Sequence, residues 1–506
     1  MNLSNCLFLI LLCLAIGGSF LVLLTTQHGV GMSADSVTYI MAARNLSIGK
    51  GISALHLNGK VEPLVVFPPL YPIILGGINL IGIDPVIGVR WLNAFLFAGS
   101  IFLTGIILKN ITNKNWPVII GTLFFISYKN TLLLFSMALS EPVFIFLIEL
   151  SFLFILLYIS GPRISILLFW SIITGLTILT RYAGMFLILL GILVICRLCN
   201  TRQKFYHSVL YLLLALSPPT LWILSHRSYY VQPENIRKGI YPCWEKIKYG
   251  LEVIRSWVWP LSFPIYLKAI FGGVIVLGLI LLYINLSLKG LSIGIFFKKE
   301  RVWPVLLAAV LLYAGEVLIV VRYFGADTWL EPRILFPLFI FSLIFIMFIL
   351  SKVPLYHLCK ASTFLFIIAG VILFGFYCSR SYNWVLKASR QGWGYSNKAW
   401  RNSQTVQAVK KLPPGVIIYS NAPDAIYILT GRVAYYIPCY AYPVNNRPND
   451  RFLDQMVEVR NIKGEKYLVY FYNKRRWYLP NFQEIINYWK LKKCKFFTDG
   501  LICKIF

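Results

Sequence analysis

Residues 6–26 read CLFLILLCLAIGGSFLVLLTT, and Gly31-Met32-Ser33-Ala34-Asp35-Ser36-Val37-Thr38-Tyr39 follows within a few positions. The first stretch carries no charge and is long enough to cross about 30 Å of hydrocarbon as a helix. The second places a lone acid just outside it, in a chain with only 19 acidic residues among 506. Two readings of Asp35 follow. It suits the cap of the next helix, because Asp is a favoured N-cap and Val37 to Ala43 can be helical. It also suits chemistry on a lipid-borne substrate, at the level where water meets hydrocarbon.

Apolar runs near spanning length recur along most of the chain. They fall at roughly 6–26, 86–108, 116–136, 142–160, 164–180, 183–199, 207–226, 265–287, 302–321, 334–351 and 361–378. With 58% hydrophobic and 13% charged residues, a soluble globular domain is excluded. The expected fold is a polytopic α-helical membrane protein of about 11 transmembrane helices with a C-terminal extracytoplasmic α/β domain.

Basic residues orient the stack. Lys109 and Lys114, Arg163, Arg197-Arg202-Lys204, Lys289-Lys298-Lys299-Arg301 and Lys352-Lys360 fall in alternate short loops, which should be cytoplasmic. The Asp35 loop, Ser140-Glu141-Pro142, Arg181, the Arg322–Arg333 stretch and everything after about 379 then face outward. The N-terminus is expected to be cytoplasmic. No small-x-small site follows the first apolar core, so that span reads as a retained helix.

The net charge of +29 (48 basic, 19 acidic) does not signal nucleic acid here. Part is cytoplasmic loop bias, and the rest suits a surface against anionic lipid headgroups. Ten cysteines, scattered through spans and tail, indicate neither a zinc site nor a disulfide framework. Cys494 and Cys503 flank an Asp499-Gly500 turn. A two-residue turn there would set Cys503 opposite Phe496, so no disulfide is expected between them.

The organisation divides at 378/379. Inside the 1–378 module, the first outer loop (27–85) is too broken by Gly and Pro to cross a membrane. It reads as short interfacial helices with an extended piece near 52–67. Residues 227–263 mix Trp and Tyr with Lys and Arg, as an interfacial segment does. Residues 379–506 alternate strand and helix patterns, pointing to a small, mostly parallel α/β domain. It has no Gly-rich phosphate loop.

Ionisable groups at membrane depth cost a few kcal/mol or more, so they line cavities. Arg90, Lys129, Glu141, Glu149, Arg181, Glu316, Arg322, Glu331 and Arg333 qualify. Glu141, Arg181, Glu331 and Arg333 fall at outward span ends, level with Asp35. Five charges could thus converge on one cavity. The competing reading is headgroup anchoring and snorkelling, which is weaker for the acids because an anionic surface offers them nothing. Glu149 and Glu316 are expected to pair inside the bundle.

The local motifs are more specific in their order. Asp35-Ser-x-x-Tyr39, Phe67-Pro-Pro-Leu-Tyr71-Pro72, Leu139-Ser-Glu141-Pro142, Thr180-Arg181-Tyr-Ala-Gly184 and Glu331-Pro-Arg333-Ile-Leu-Phe-Pro337 succeed one another. The set resembles the GT-C integral-membrane glycosyltransferases. Within them it is most similar to the glycosyltransferase family 39 group, which holds protein O-mannosyltransferases and the enzymes that put aminoarabinose on lipid A. The resemblance covers about 1–378, and Ile418 to Arg432 looks like the outer domain of bacterial members.

The resemblance implies transfer of a hexosyl or pentosyl group from a polyprenyl-phosphate donor to a hydroxyl on a lipid, glycan or protein. It implies Asp35 as the catalytic acid of the first outer loop and Glu141 as the second outer acid. Arg181 and Arg333 would lie near the donor phosphate, and Tyr39, Tyr71 and Glu331 join them as expected substrate-binding residues. Many GT-C enzymes carry two acids at the first-loop site. This chain has Ala34-Asp35-Ser36 and no Asp-x-Asp, which leaves a divalent metal an open question. A phosphate leaving group needs no protonation, so one carboxylate acting as general base suffices, and direct displacement inverts the anomeric carbon.

A transporter or flippase of a lipid-linked saccharide is the alternative. It should show internal repeats and helices broken near the midplane, and no clear repeat is present. A scaffold displaying the α/β domain would leave the outer acids and arginines without a reason. Asn45-Leu46-Ser47 would be a glycosylation acceptor inside the catalytic loop, which favours a bacterial plasma membrane over the endoplasmic reticulum.

Overall fold

The computed structural model describes residues 4–56, 60–230, 243–259, 301–324, 328–352, 360–443 and 445–506, with isolated positions between 265 and 277. The span expected at 265–287 and part of the interfacial segment 227–263 therefore lie outside the described residues.

The first half runs α1 (Asn5–Thr25), α2 (Ala34–Ser47), β1 (Ser53–Leu55), β2 (Val61–Pro63), α3 (Leu70–Leu80), α4 (Pro85–Thr112), α5 (Trp116–Ser127), α6 (Lys129–Phe135), α7 (Glu141–Ser160), α8 (Ile164–Thr180), α9 (Phe186–Leu198) and α10 (Thr201–Ser225). A short α11 (Arg227–Tyr230), α12 (Trp244–Val258), α13 (Trp303–Tyr323), α14 (Phe336–Lys352) and α15 (Lys360–Gln391) follow. Six of these helices are long and apolar enough to cross a membrane: α1, α4, α7, α10, α13 and α15. The protein is thus a multi-pass membrane protein. Helices α8, α9 and α14 are shorter apolar rods. The single span expected at 116–136 is two helices, α5 and α6, bent by 65° at Tyr128.

Helix α4 packs between α1 and α7, α7 on α8, and α8 on α10. Contact is close where glycine permits it: a Cβ on Gly105 of α4 would lie 2.6 Å from Leu11 Cδ2 of α1. The segment between α1 and α4 is made of short elements. Helices α2 and α3 flank the antiparallel pair β1–β2, registered Ala54 to Glu62.

Helix α15 runs on to Gln391, through position 379 where the apolar pattern fades. Beyond it come α16 (Lys398–Arg401), α17 (Gln404–Lys410), β3 (Ile417–Ser420), α18 (Pro423–Thr430), β4 (Tyr435–Tyr436), the small pair β5 (Ala441–Tyr442) and β6 (Arg447–Pro448), α19 (Phe452–Asn461), β7 (Lys466–Phe471), α20 (Phe482–Tyr488), β8 (Leu491–Phe496) and β9 (Gly500–Ile505). The main sheet has the order β4-β3-β7-β9-β8. Strand β3 is parallel to both β4 and β7, whereas β9 is antiparallel to both β7 and β8. The sheet is therefore mixed rather than mostly parallel, because the C-terminal hairpin supplies two of its five strands. Val469 and Phe471 of β7 join the core shared with the membrane helices, while Leu468 and Tyr470 join a second cluster with Phe452, Met456 and Trp489. This alternation is the period of two that a strand imposes. Helix α18 packs on α2, which seats the domain beside the Asp35 helix.

Cys494 and Cys503 are disulfide-bonded, contrary to the expectation from the turn. Phe496 pairs with Leu501 rather than Cys503, and a bulge between Lys492 and Lys495 shifts the register. The chain turns at Thr498-Asp499, where Phe497 N–H donates to Gly500 O (2.8 Å), one residue earlier than expected, so the pairing of Lys495 with Ile502 runs on to set Cys494 against Cys503, and Lys493, at φ 51°, takes up the bulge beyond that pair. The reading of the cysteines as scattered missed one pair: Cys196 and Cys199 form a Cys-x-x-Cys spacing at the end of α9. Cys196 is exposed, while Cys199 is buried against Tyr158 Oη (3.1 Å).

Candidate active site

Ser33, not Asp35, caps α2. Its hydroxyl accepts from Ser36 N–H, and the Ser36 hydroxyl accepts in return from Ser33 N–H. A serine at the third helical position thus closes a box usually closed by Glu or Gln. Asp35, in the first turn, is left free to reach elsewhere. Its Oδ2 accepts from Arg333 Nη1 at 3.0 Å, across a sequence separation of 298. Arg333 Nε lies 3.2 Å from Glu331 Oε2, so one guanidinium holds two acids. These side chains keep 35% (Asp35), 37% (Arg333) and 47% (Glu331) of their surface open to solvent.

A second pair lies deeper. Glu141 starts α7, and its Oε1 is 2.8 Å from Arg181 Nη1, with the Glu141 side chain only 3% exposed. Arg181 lies in the extended turn that ends α8. Its Nη1 also donates to Ser140 Oγ (3.2 Å), and Ser140 Oγ shares a hydrogen bond with Tyr39 Oη (3.3 Å). Tyr39, one turn after Asp35 on α2, therefore links the two pairs. Its ring packs edge-on to Tyr71 (5.0 Å between centroids) and against Phe67 (4.9 Å). Glu141 Oε2 and Tyr71 Oη are buried with no hydrogen-bond partner, which is unusual for such groups.

The electrostatics agree with the geometry. Burial opposes the charge of Arg333, but Glu141, Asp35 and Glu331 outweigh it and raise its pKa. Burial raises the pKa of the Tyr39 phenol, against the lowering field of Arg181 and with the fields of Glu141 and Asp35 adding to it. Tyr71 is raised by burial and then by Tyr39 and Glu141. Both tyrosines are therefore neutral hydroxyls at neutral pH.

The structure brings Asp35, Tyr39, Tyr71, Glu141, Arg181, Glu331 and Arg333 into one neighbourhood. Ser140, inside a motif quoted above, is the polar link that its residue type alone does not announce. Among the described residues, Glu149 and Glu316 pair with no charge, contrary to the expected pairing inside the bundle. Thr104 Oγ1 donates to Glu149 Oε1 (2.7 Å), and Phe186 N–H donates to Glu316 Oε2 (3.0 Å) at the start of α9. Arg90 donates to Leu23 O and Thr26 Oγ1. Among the described residues, no three His, Cys, Asp or Glu side chains gather as a metal-holding group. Each of the three site acids, Asp35, Glu141 and Glu331, already faces an arginine.

The family model of dolichyl-phosphate-mannose-protein mannosyltransferases matches residues 52–228, which include Tyr71, Glu141 and Arg181. No curated relative matches in sequence. The structure is similar to ArnT from Cupriavidus metallidurans bound to undecaprenyl phosphate, at TM-score 0.58 and 10% identity, over 99% of this chain and 98% of that one. The chain shares the fold of ArnT, and its residues 52–228 resemble the mannosyltransferase family. The fold is also similar to that of apo ArnT (TM-score 0.51, 11% identity, 96% of each chain). The Archaeoglobus fulgidus oligosaccharyltransferase tethered to an acceptor peptide is likewise similar, at TM-score 0.50 and 12% identity, over 91% of this chain and 69% of that one. Asp35 and Arg333 fall outside the family-model match, so their place in the candidate site rests on geometry.

Proposed function

We propose that this protein transfers a sugar from a polyprenyl-phosphate donor to an acceptor hydroxyl at the outer face of a bacterial plasma membrane. The observation that carries the proposal is the half-open Asp35 carboxylate held by Arg333 beside the buried Glu141–Arg181 pair. The family-model match and the ArnT-like fold support a lipid-linked donor.

Asp35 acts as general base, worth on the order of a hundredfold or more in rate. It takes the proton of the acceptor hydroxyl as that oxygen bonds to the anomeric carbon. The bond from that carbon to the phosphate oxygen breaks, and the electron pair leaves with polyprenyl phosphate. Arg181 and Arg333 stabilise the charge that grows on the phosphate where water is scarce. Glu331 steadies Arg333. The unpartnered Tyr71 Oη and Glu141 Oε2 hold substrate hydroxyls, and Tyr39 keeps the two pairs together. A single displacement on one face inverts the anomeric configuration.

The chain divides into a membrane module up to about 378 and an α/β domain on the outer side. The Cys494–Cys503 disulfide supports that side, because disulfides persist in oxidising compartments. The test uses purified protein in liposomes with a panel of polyprenyl-phosphate sugars, followed by release of free polyprenyl phosphate with and without a chelator. Turnover of one donor with an inverted product is expected. A retained product refutes the single displacement. If no donor is turned over, transport becomes the better reading.

A further inference from the structure

The backbone just before α2 is the middle of three short extended segments. On one side Gly31 N–H donates to Ser136 O (2.8 Å), and Ala138 N–H donates to Gly31 O (2.9 Å). On the other side Tyr395 N–H donates to Met32 O (2.9 Å), and Ser396 Oγ donates to Val30 O (2.7 Å). Both contacts are parallel bridges, Gly31 to Met137 and Met32 to Gly394. Asp35 follows this arrangement by three residues from Met32, and Glu141 by three from Ala138. The two carboxylates of the proposed site therefore leave from neighbouring segments of one small sheet. Its third segment comes from the junction between α15 and the C-terminal domain.

That third segment is clamped from the domain side. Tyr395 Oη donates to Asp424 Oδ2 (2.5 Å), and Asp424 Oδ1 accepts from Arg476 Nη2 (2.6 Å). Arg476 Nη1 donates to Tyr478 Oη (2.8 Å) and Tyr436 Oη (3.1 Å). The Asp424 and Arg476 side chains are only 6% and 9% exposed, so this network is part of the domain's interior. Gly394 fits the clamp for two reasons. It sits at φ +57°, and a Cβ there would lie 2.1 Å from Met32 O. A side chain at 394 would push away the strand that ends three residues before Asp35.

We infer that Gly394 and Tyr395 are positioning residues for the Asp35–Glu141 site, through which the C-terminal domain sets the geometry of the reaction. The inference rests on the reading of Asp35 as the base. Displacing a reacting group by about 1 Å can cost on the order of a hundredfold in rate.

The experiment uses the full chain in liposomes and the donor that wild type turns over. Gly394→Ala and Tyr395→Phe are compared with Gly464→Ala, which strains a positive-φ glycine of the same domain (φ +113°) with nothing near its Cβ. Gly394→Ala should lower kcat at least tenfold with donor KM within twofold. Tyr395→Phe, which removes one hydroxyl and should not endanger folding, should lower kcat at least threefold in the same manner. Gly464→Ala should change neither. Unchanged kcat in Tyr395→Phe, or an equal loss in Gly464→Ala, overturns the inference. Hydrogen exchange gives a readout that needs no turnover. Peptides covering 30–39 and 136–141 should exchange faster in Gly394→Ala than in wild type or Gly464→Ala, and unchanged exchange overturns the inference even if no donor is found. Absence of turnover in wild type counts against the transferase reading alone.

Discussion

Arg181→Met should be far more damaging than Glu141→Gln, although the two residues form one ion pair. The Glu141 side chain is 3% exposed and Arg181 is 23% exposed. Removing the arginine takes away the ion-pair partner of a buried carboxylate and leaves it only the field of Arg333, which makes no ion pair with it. Breaking a buried pair in that way costs about 3–5 kcal/mol. Removing the acid instead leaves a guanidinium that is already part-solvated and still donates to Ser140 Oγ, so the loss should be about 1 kcal/mol. The double variant should recover much of the arginine loss, because no unpaired carboxylate remains. At about 2.1 cal/mol/K per residue, a 506-residue chain has an unfolding entropy of about 1 kcal/mol/K, so 3–5 kcal/mol corresponds to a fall of roughly 3–5 °C. The assay is the fraction of detergent-purified protein that stays monodisperse after heating, at matched heating rates. The expected order of midpoints, from lowest, is Arg181→Met, the double variant, Glu141→Gln and wild type. A Glu141→Gln midpoint at or below that of Arg181→Met would refute the reasoning, as would a double variant no better than Arg181→Met.

Tyr39→Phe removes the hydroxyl shared with Ser140 but keeps the ring against Tyr71 and Phe67. It should cost about 1 kcal/mol of stability and less than tenfold in turnover, measured on the same preparation. Arg333→Lys keeps the charge but cannot span Asp35 and Glu331 at once, so donor turnover should fall by about ten- to a hundredfold without loss of folded protein. Cys494→Ser in the full chain opens a loop of nine residues' separation and should lower stability by about 2.5 kcal/mol, seen as a melting shift that a reductant reproduces in wild type but not in the variant.

Much of the membrane part was legible because a helix facing lipid must be apolar along its length. The runs at 86–108, 142–160 and 164–180 coincide with α4, α7 and α8 to within a few residues. The break at Tyr128 was not, since neither Pro nor Gly marks it and the apolar residues on both sides let the polar run Ser127-Tyr128-Lys129-Asn130-Thr131 pass as part of one span. Strand positions in the C-terminal domain followed from alternation and the last hairpin from its turn, but alternation carries no direction, and the insertion of β9 antiparallel to β7, between β7 and β8, left no local trace. The disulfide was misjudged for a related reason: register depends on which two residues turn, and the chain turns at Thr498-Asp499 rather than at the Asp499-Gly500 pair that residue type favours.

The site divides in the same way. The acids and arginines stood out because charge is rare in this chain and falls at helix ends. Which acid meets which arginine was not readable, since Asp35 and Arg333 are joined only by tertiary packing. The cap reading of Asp35 was open to any sequence argument. Ser33 takes that role through Ser36, a short hydroxyl where a longer acid or amide is the usual partner.

The most direct measurement compares wild type with Asp35→Asn in liposomes, following polyprenyl phosphate release from the donor that wild type turns over. The substitution keeps size and removes the base. The account predicts a fall of at least a hundredfold in kcat with the protein still folded and donor KM little changed. Equal rates in the two proteins would contradict it, leave Asp35 only a partner of Arg333, and move the search for the base to Glu141.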